Sequence, residues 1–77
     1  MKEYKNESGQ LHRLDGPALE NDYIKIWYIN GNKHREDGHA VEYSDGYKRW
    51  YLNDINYTEE EYHQELIKLK LKRLKNL

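Results

Sequence analysis

The chain has 77 residues, 36% of them hydrophobic and 35% charged, with a net charge of −1 and no cysteine. A chain this short makes one small domain, which buries only about 60% of the surface that its unfolded form exposes. Near-neutral charge argues against a chain devoted wholly to nucleic acid, and the missing cysteines exclude disulfide staples and thiolate metal sites and fit a reducing, cytoplasmic compartment.

The first residues, MKEYKNESGQLHR, contain no apolar run, so no signal peptide is expected. No stretch approaches the ~20 apolar residues of a membrane span. Phenylalanine is absent, whereas there are eight tyrosines and two tryptophans. Apolar bulk therefore sits in side chains that also carry a polar tip, which suits a thin, half-wet sheet.

An internal repeat follows. His12-Arg13-Leu14-Asp15-Gly16-Pro17-Ala18 aligns with His34-Arg35-Glu36-Asp37-Gly38-His39-Ala40 at an offset of 22. Trp27-Tyr28-Ile29-Asn30 aligns with Trp50-Tyr51-Leu52-Asn53 at an offset of 23. One residue is thus inserted in the second copy, and the turn Ser44-Asp45-Gly46-Tyr47 is its natural place. A fixed period in this range marks a repeat architecture. Tyr4-Lys5-Asn6 reads as the frayed end of an earlier copy, and Asn53 to Tyr57 begins a further one.

Each unit reads as a β-hairpin. Taking Asp45-Gly46 as a two-residue type I′ loop pairs Val41 with Trp50 and Glu42 with Arg49. Alternation then places Val41, Trp50 and Leu52 on a core face with Leu19, Trp27 and Ile29, while Ala40, Glu42, Arg49 and Tyr51 face outward. Asn30-Gly31, Asp15-Gly16-Pro17 and Asp37-Gly38 are expected to form the corners between hairpins.

The stretches LHRLDGPALE and WYINGNKHREDGHAVEYSDGYKRWYLND resemble the variant MORN-type repeats of phage, giant-virus and bacterial proteins, over about residues 4–57. His39 stands where that pattern has proline, and the third copy stops at Asn53-Asp54. The resemblance implies a row of antiparallel hairpins in one twisted sheet, and protein or membrane contact rather than catalysis. It also implies a viral origin and, for so small a chain, an inhibitor of a host protein or defence system of the anti-CRISPR kind.

A helix is expected over 58–76. Thr58-Glu59-Glu60-Glu61 is a capping box, and the rest has neither glycine nor proline. Acidic residues lie at its positive end and Lys68, Lys70, Lys72, Arg73 and Lys75 toward its negative end. Tyr62, Leu66 and Leu69 form one apolar stripe, and Ile67, Leu71 and Leu74 form another, turned by about 120°. The first stripe is expected to close the core over Trp27, Trp50, Leu19 and Val41. The second either meets a partner or widens the buried face.

Chemistry is sparse. His34, Asp37 and His39 have metal-ligand character, but the first copy has Pro17 in place of His39, which favours a structural role. The recurring His12-Arg13 and His34-Arg35 are expected to bond loop carbonyls or stack on aromatic rings at each corner. No nucleophile with a base and no phosphate-cradling glycine loop is found, so neither an enzyme nor a cofactor is expected.

The expectation is a single α+β domain over 1–77, a small antiparallel sheet of tandem hairpins capped by one helix. It acts as a non-enzymatic protein-binding module through Tyr28, Arg49, Tyr51, Ile67, Leu71 and Leu74. One rival is a nucleic-acid or anionic-membrane binder using Lys68, Lys70, Lys72, Arg73 and Lys75. Another is a dimerising unit built on the second stripe.

Overall fold

The computed structural model describes residues 1–75. Within them the chain is α+β, with strands β1 (Lys2–Glu3), β2 (Leu19–Glu20), β3 (Ile24–Ile26), β4 (Tyr28–Ile29), β5 (Asn32–Lys33), β6 (Val41–Tyr43), β7 (Lys48–Leu52) and β8 (Ile55–Tyr57), and helix α1 (Glu59–Lys75). Six strands form one antiparallel sheet in the order β1-β2-β3-β6-β7-β8, and β4 and β5 form a two-stranded ribbon.

The sequence repeat is also a repeat of hydrogen bonds. The Trp27 N–H donates to the Ala40 carbonyl at 2.8 Å, and the Tyr4 N–H donates to the Ala18 carbonyl at 2.8 Å. Tyr4 therefore occupies the tryptophan position of an N-terminal copy. Two-residue loops with both residues at positive φ close the β4–β5 and β7–β8 hairpins: Asn30 and Gly31 at 47° and 83°, Asn53 and Asp54 at 49° and 71°. These are the type I′ sites, where Asn, Asp and Gly bear the left-handed backbone at least cost.

The β6–β7 hairpin corrects the sequence-based register. Val41 lies opposite Arg49 and Glu42 opposite Lys48, one residue away from the expected pairing. The Tyr43 N–H donates to the Tyr47 carbonyl at 2.9 Å, which leaves a three-residue loop, Ser44-Asp45-Gly46. Gly46 at φ 94° supplies the left-handed residue of a type I turn closed by a G1 bulge. The inserted residue does lie in this turn. In the first copy the Asn21 Oδ1 accepts from the N–H groups of Tyr23 and Ile24 at 2.8 and 3.0 Å, which makes a tip without glycine.

A slip of one residue exchanges the faces. Leu19, Ile26, Val41 and Arg49 share one side of the sheet by pairing. Trp50 and Leu52 alternate with Arg49 and lie on the other side. Leu19 and Val41 are therefore not on the indole face. Val41 is buried instead on the side where Arg49 and Tyr51 were expected to be wholly outward.

Helix α1 starts as its sequence requires. The Thr58 N–H donates to Glu61 Oε1 at 3.0 Å, and the Glu61 N–H donates back to Thr58 Oγ1 at 3.2 Å. Asn76, the expected last helical residue, lies outside the described residues. The helix does not span the sheet. Its buried residues, Tyr62 and Leu66, pack with Leu52, Trp50 and Tyr57 at the β7–β8 end only. Leu69 is half-buried, and both tryptophans are half-buried rather than hidden beneath the helix.

Tyr62 is the largest fully buried side chain. Its ring lies 4.9 Å from that of Trp50, and its hydroxyl donates to the Arg35 carbonyl at 2.5 Å. Replacing Tyr62 with alanine should cost about 3–5 kcal/mol, as aromatic truncations in cores do. Tyr62→Phe, which leaves only that bond unmade, should cost about 1–3 kcal/mol. Urea unfolding followed by tryptophan fluorescence measures both. Equal losses for the two variants would contradict the packing role of the ring.

Candidate functional site

The two corners are built alike, one residue type at a time. The Arg13 Nε donates to Asp15 Oδ1 at 3.1 Å, and Nη1 donates to the Pro17 carbonyl at 3.2 Å. The Arg35 Nε donates to Asp37 Oδ1 and Nη1 to the His39 carbonyl, both at 3.0 Å. Each guanidinium also lies over an aromatic ring: Arg13 over Tyr4 at 4.1 Å and Arg35 over Trp27 at 4.0 Å. Only a planar fork can do all three at once, so lysine would not substitute.

The histidines tie the corners to the type I′ loops. His12 Nδ1 accepts from the Asn30 N–H at 2.9 Å, and His34 Nδ1 accepts from the Asn53 N–H at 3.0 Å. With Nδ1 engaged as an acceptor, the His34 ring carries its proton on Nε2 and donates it to Glu36 Oε2 at 2.7 Å. His39 stands edge-on between Trp27 and Trp50, with centroids 5.8 Å from each, and its Nε2 is 2.9 Å from Glu42 Oε1. His34, Asp37 and His39 therefore face different partners.

Arg73 joins this network from the helix. Its Nη1 and Nη2 donate to the two oxygens of Glu36, each at 2.6 Å. The Arg73 bonds, opposed by burial and assisted by His34, hold the Glu36 carboxyl down from 4.5 to about 2. This bidentate pair joins the last turn of α1 to the second corner, which lies 37 residues earlier in the chain.

Between the two corners and the end of the helix lies a groove of about 940 Å³. Leu14, Pro17, Trp27 and Ile29 line its apolar part, and Arg13, Arg35, Lys70 and Arg73 its basic part. Sequence reasoning did not single out Leu14 or Trp27 as functional. The hint was one of the two unlike pairs in the corner motif, leucine at 14 against glutamate at 36; the other is Pro17 against His39.

The other expected site residues fall into three groups. Ile67, Leu71 and Leu74 are 60%, 53% and 63% exposed and make a continuous outer stripe on α1. On the far side of the sheet, Arg49 lies 5.3 Å above the Tyr47 ring and Lys33 5.0 Å above that of Tyr51. Tyr28, the counterpart of Tyr51, is half-buried in β4. Among the basic candidates, Arg73 is committed to Glu36 and Lys68 to Glu65 at 3.1 Å. Lys70, Lys72 and Lys75 make no ion pair among the described residues.

Set beside known protein families, curated proteins and solved structures, the chain matches none of them. Among the described residues, no helix is long and apolar enough to cross a membrane.

The Glu36 pair sets a pH dependence. Because its folded value lies below 4.5, ionised Glu36 stabilises the folded chain above that pH, and the contribution is lost as pH falls toward 2. Arg73 is more than half exposed, so solvent screens the effect. Glu36→Gln should flatten the loss of stability between pH 4.5 and 2 in urea titrations. Identical profiles for Glu36→Gln and the parent would refute the assignment.

Proposed function

We propose that this chain is a non-enzymatic module that binds another protein through the outer stripe of α1. The observation that carries this is the exposure of Ile67, Leu71 and Leu74 on a helix whose opposite side is already fixed to the sheet by Tyr62 and Leu66. Aliphatic side chains at 4,3 spacing are the anchors of helix-in-groove recognition. Lys70 and Lys75 flank the stripe and orient the encounter. The far sheet face, with Tyr28, Arg49 and Tyr51, offers the residue types that dominate protein hot spots, and forms a second contact region.

The resemblance to variant MORN-type repeats supports the same class of role, and with it the inhibition of a host protein within a reducing cytoplasm. Two features count against phosphate binding as the main activity. Arg73 and Lys68 already hold carboxylates, and the free lysines are spread around the helix.

The triple variant Ile67→Gln, Leu71→Gln, Leu74→Gln should keep the parent's stability to within about 0.5 kcal/mol, because it changes only exposed positions. Partner capture on the immobilised chain should fall by about 30-fold, the equivalent of ~2 kcal/mol. Raising salt should change capture by the parent only modestly. Unchanged capture by the triple variant, or nucleic acid eluting steeply with salt, would overturn the proposal.

A further inference from the structure

The groove between the corners has a twin that is already filled, and the twin shows what fits. Across one repeat, Trp27 corresponds to Trp50, Ile29 to Leu52, Leu14 to Glu36 and the Arg13 carbonyl to the Arg35 carbonyl. At the second repeat, α1 covers that set. Tyr62 lies against Trp50 and bonds the Arg35 carbonyl, Leu66 packs on Leu52, and Arg73 holds Glu36. At the first repeat no helix covers the same framework, although the Arg35 guanidinium lies 4.0 Å over the Trp27 ring and His39 stands edge-on against it. Trp27 and Ile29 line open space, Leu14 is 83% exposed, and no tyrosine reaches the Arg13 carbonyl among the described residues.

We infer that this groove is a second helix seat, which takes an amphipathic helix from a partner protein that inserts a tyrosine beside Trp27. The repeat also specifies the helix chemically. Where Arg73 meets Glu36 in the filled seat, the incoming helix meets Leu14 and needs an apolar residue. The flank of α1 turned away from the groove carries Glu65, Lys68 and Lys72. The incoming helix turns its corresponding flank toward Lys70, so acidic residues belong there. The inference rests on the chain being a protein-binding module, but it uses a surface separate from the outer stripe of α1.

The test uses the full chain and two synthetic peptides. Both copy Thr58–Lys75 with K68E and K72E, one keeping Arg73 and the other carrying R73L. The two indole N–H signals of the labelled chain report each seat separately. The R73L peptide should move the Trp27 signal and leave Trp50 in place, and its affinity should drop about tenfold, ~1.4 kcal/mol, in Leu14→Glu. The peptide that keeps Arg73 should show the opposite preference, because Leu14→Glu recreates the carboxylate of the second corner.

No shift at Trp27 at millimolar peptide would overturn the inference. So would movement at Trp50 instead, which signals displacement of the chain's own helix, or a preference that does not reverse. The outer-stripe glutamine variant should bind both peptides as the parent does. A failure at the seat with capture through the stripe intact would remove this inference and leave the proposed function standing, and the converse result would do the reverse.

Discussion

The structure depends on an arginine that does three things at one corner. Arg35 stacks on Trp27, binds Asp37 and caps the His39 carbonyl, while its own carbonyl receives the Tyr62 hydroxyl. A loop backbone that would otherwise be left with unpaired polar groups is thereby satisfied from one side chain. The same residue thus ties the corner to the helix. Arg13 repeats the first three roles on Tyr4, Asp15 and Pro17 without the fourth. The hairpins are too short to hold their own register, so these polar corners, rather than strand length, keep one copy aligned with the next.

The departures from repetition explain the shape. The third copy proceeds through its type I′ loop at Asn53-Asp54 and reaches Tyr57 where the earlier copies place His12 and His34. Thr58 then follows in the arginine position and caps a helix instead of opening another corner. The array ends where this residue offers a hydroxyl in place of a guanidinium. The helix turns back over the repeat it has just left, and Arg73 returns the missing guanidinium to that repeat through Glu36. Leucine at position 14 leaves the first repeat without such a claim on a helix.

Much of this was legible in the sequence. The repeat, the carbonyl-bonding and ring-stacking roles of Arg13 and Arg35, the capping box and the place of the inserted residue were all readable from it, whereas His12 and His34, expected to bond loop carbonyls or stack, accept instead from the N–H groups of Asn30 and Asn53, 18 and 19 residues away. The β6–β7 register was not readable either. Asp45-Gly46 fits a two-residue loop and a three-residue bulged loop alike, and the structure takes the second. Once the register slipped, Val41 and Leu19 moved with it to the wrong face. The reach of the helix was misjudged for a related reason. Apolar spacing on α1 shows which stripe is buried, but it does not say which strands lie beneath. The Glu36–Arg73 pair joins residues 37 positions apart and leaves no local sign.

The small core bears on function. Within the described residues, the buried apolar side chains are two alanines, Val41, Leu52, Tyr62 and Leu66. A chain this short on apolar burial would gain stability by turning every aliphatic residue inward. It instead leaves Ile67, Leu71 and Leu74 on the outside of its one helix, and Leu14 at the rim of a groove. Those positions contribute little to the fold, because the helix is already held by its capping box, by Tyr62 and by Arg73. Exposed aliphatic side chains in a row also carry a cost in solubility. The proposed binding role would account for their placement, with the polar corners supplying the rigidity that a contact surface needs in order to bind without a large ordering penalty.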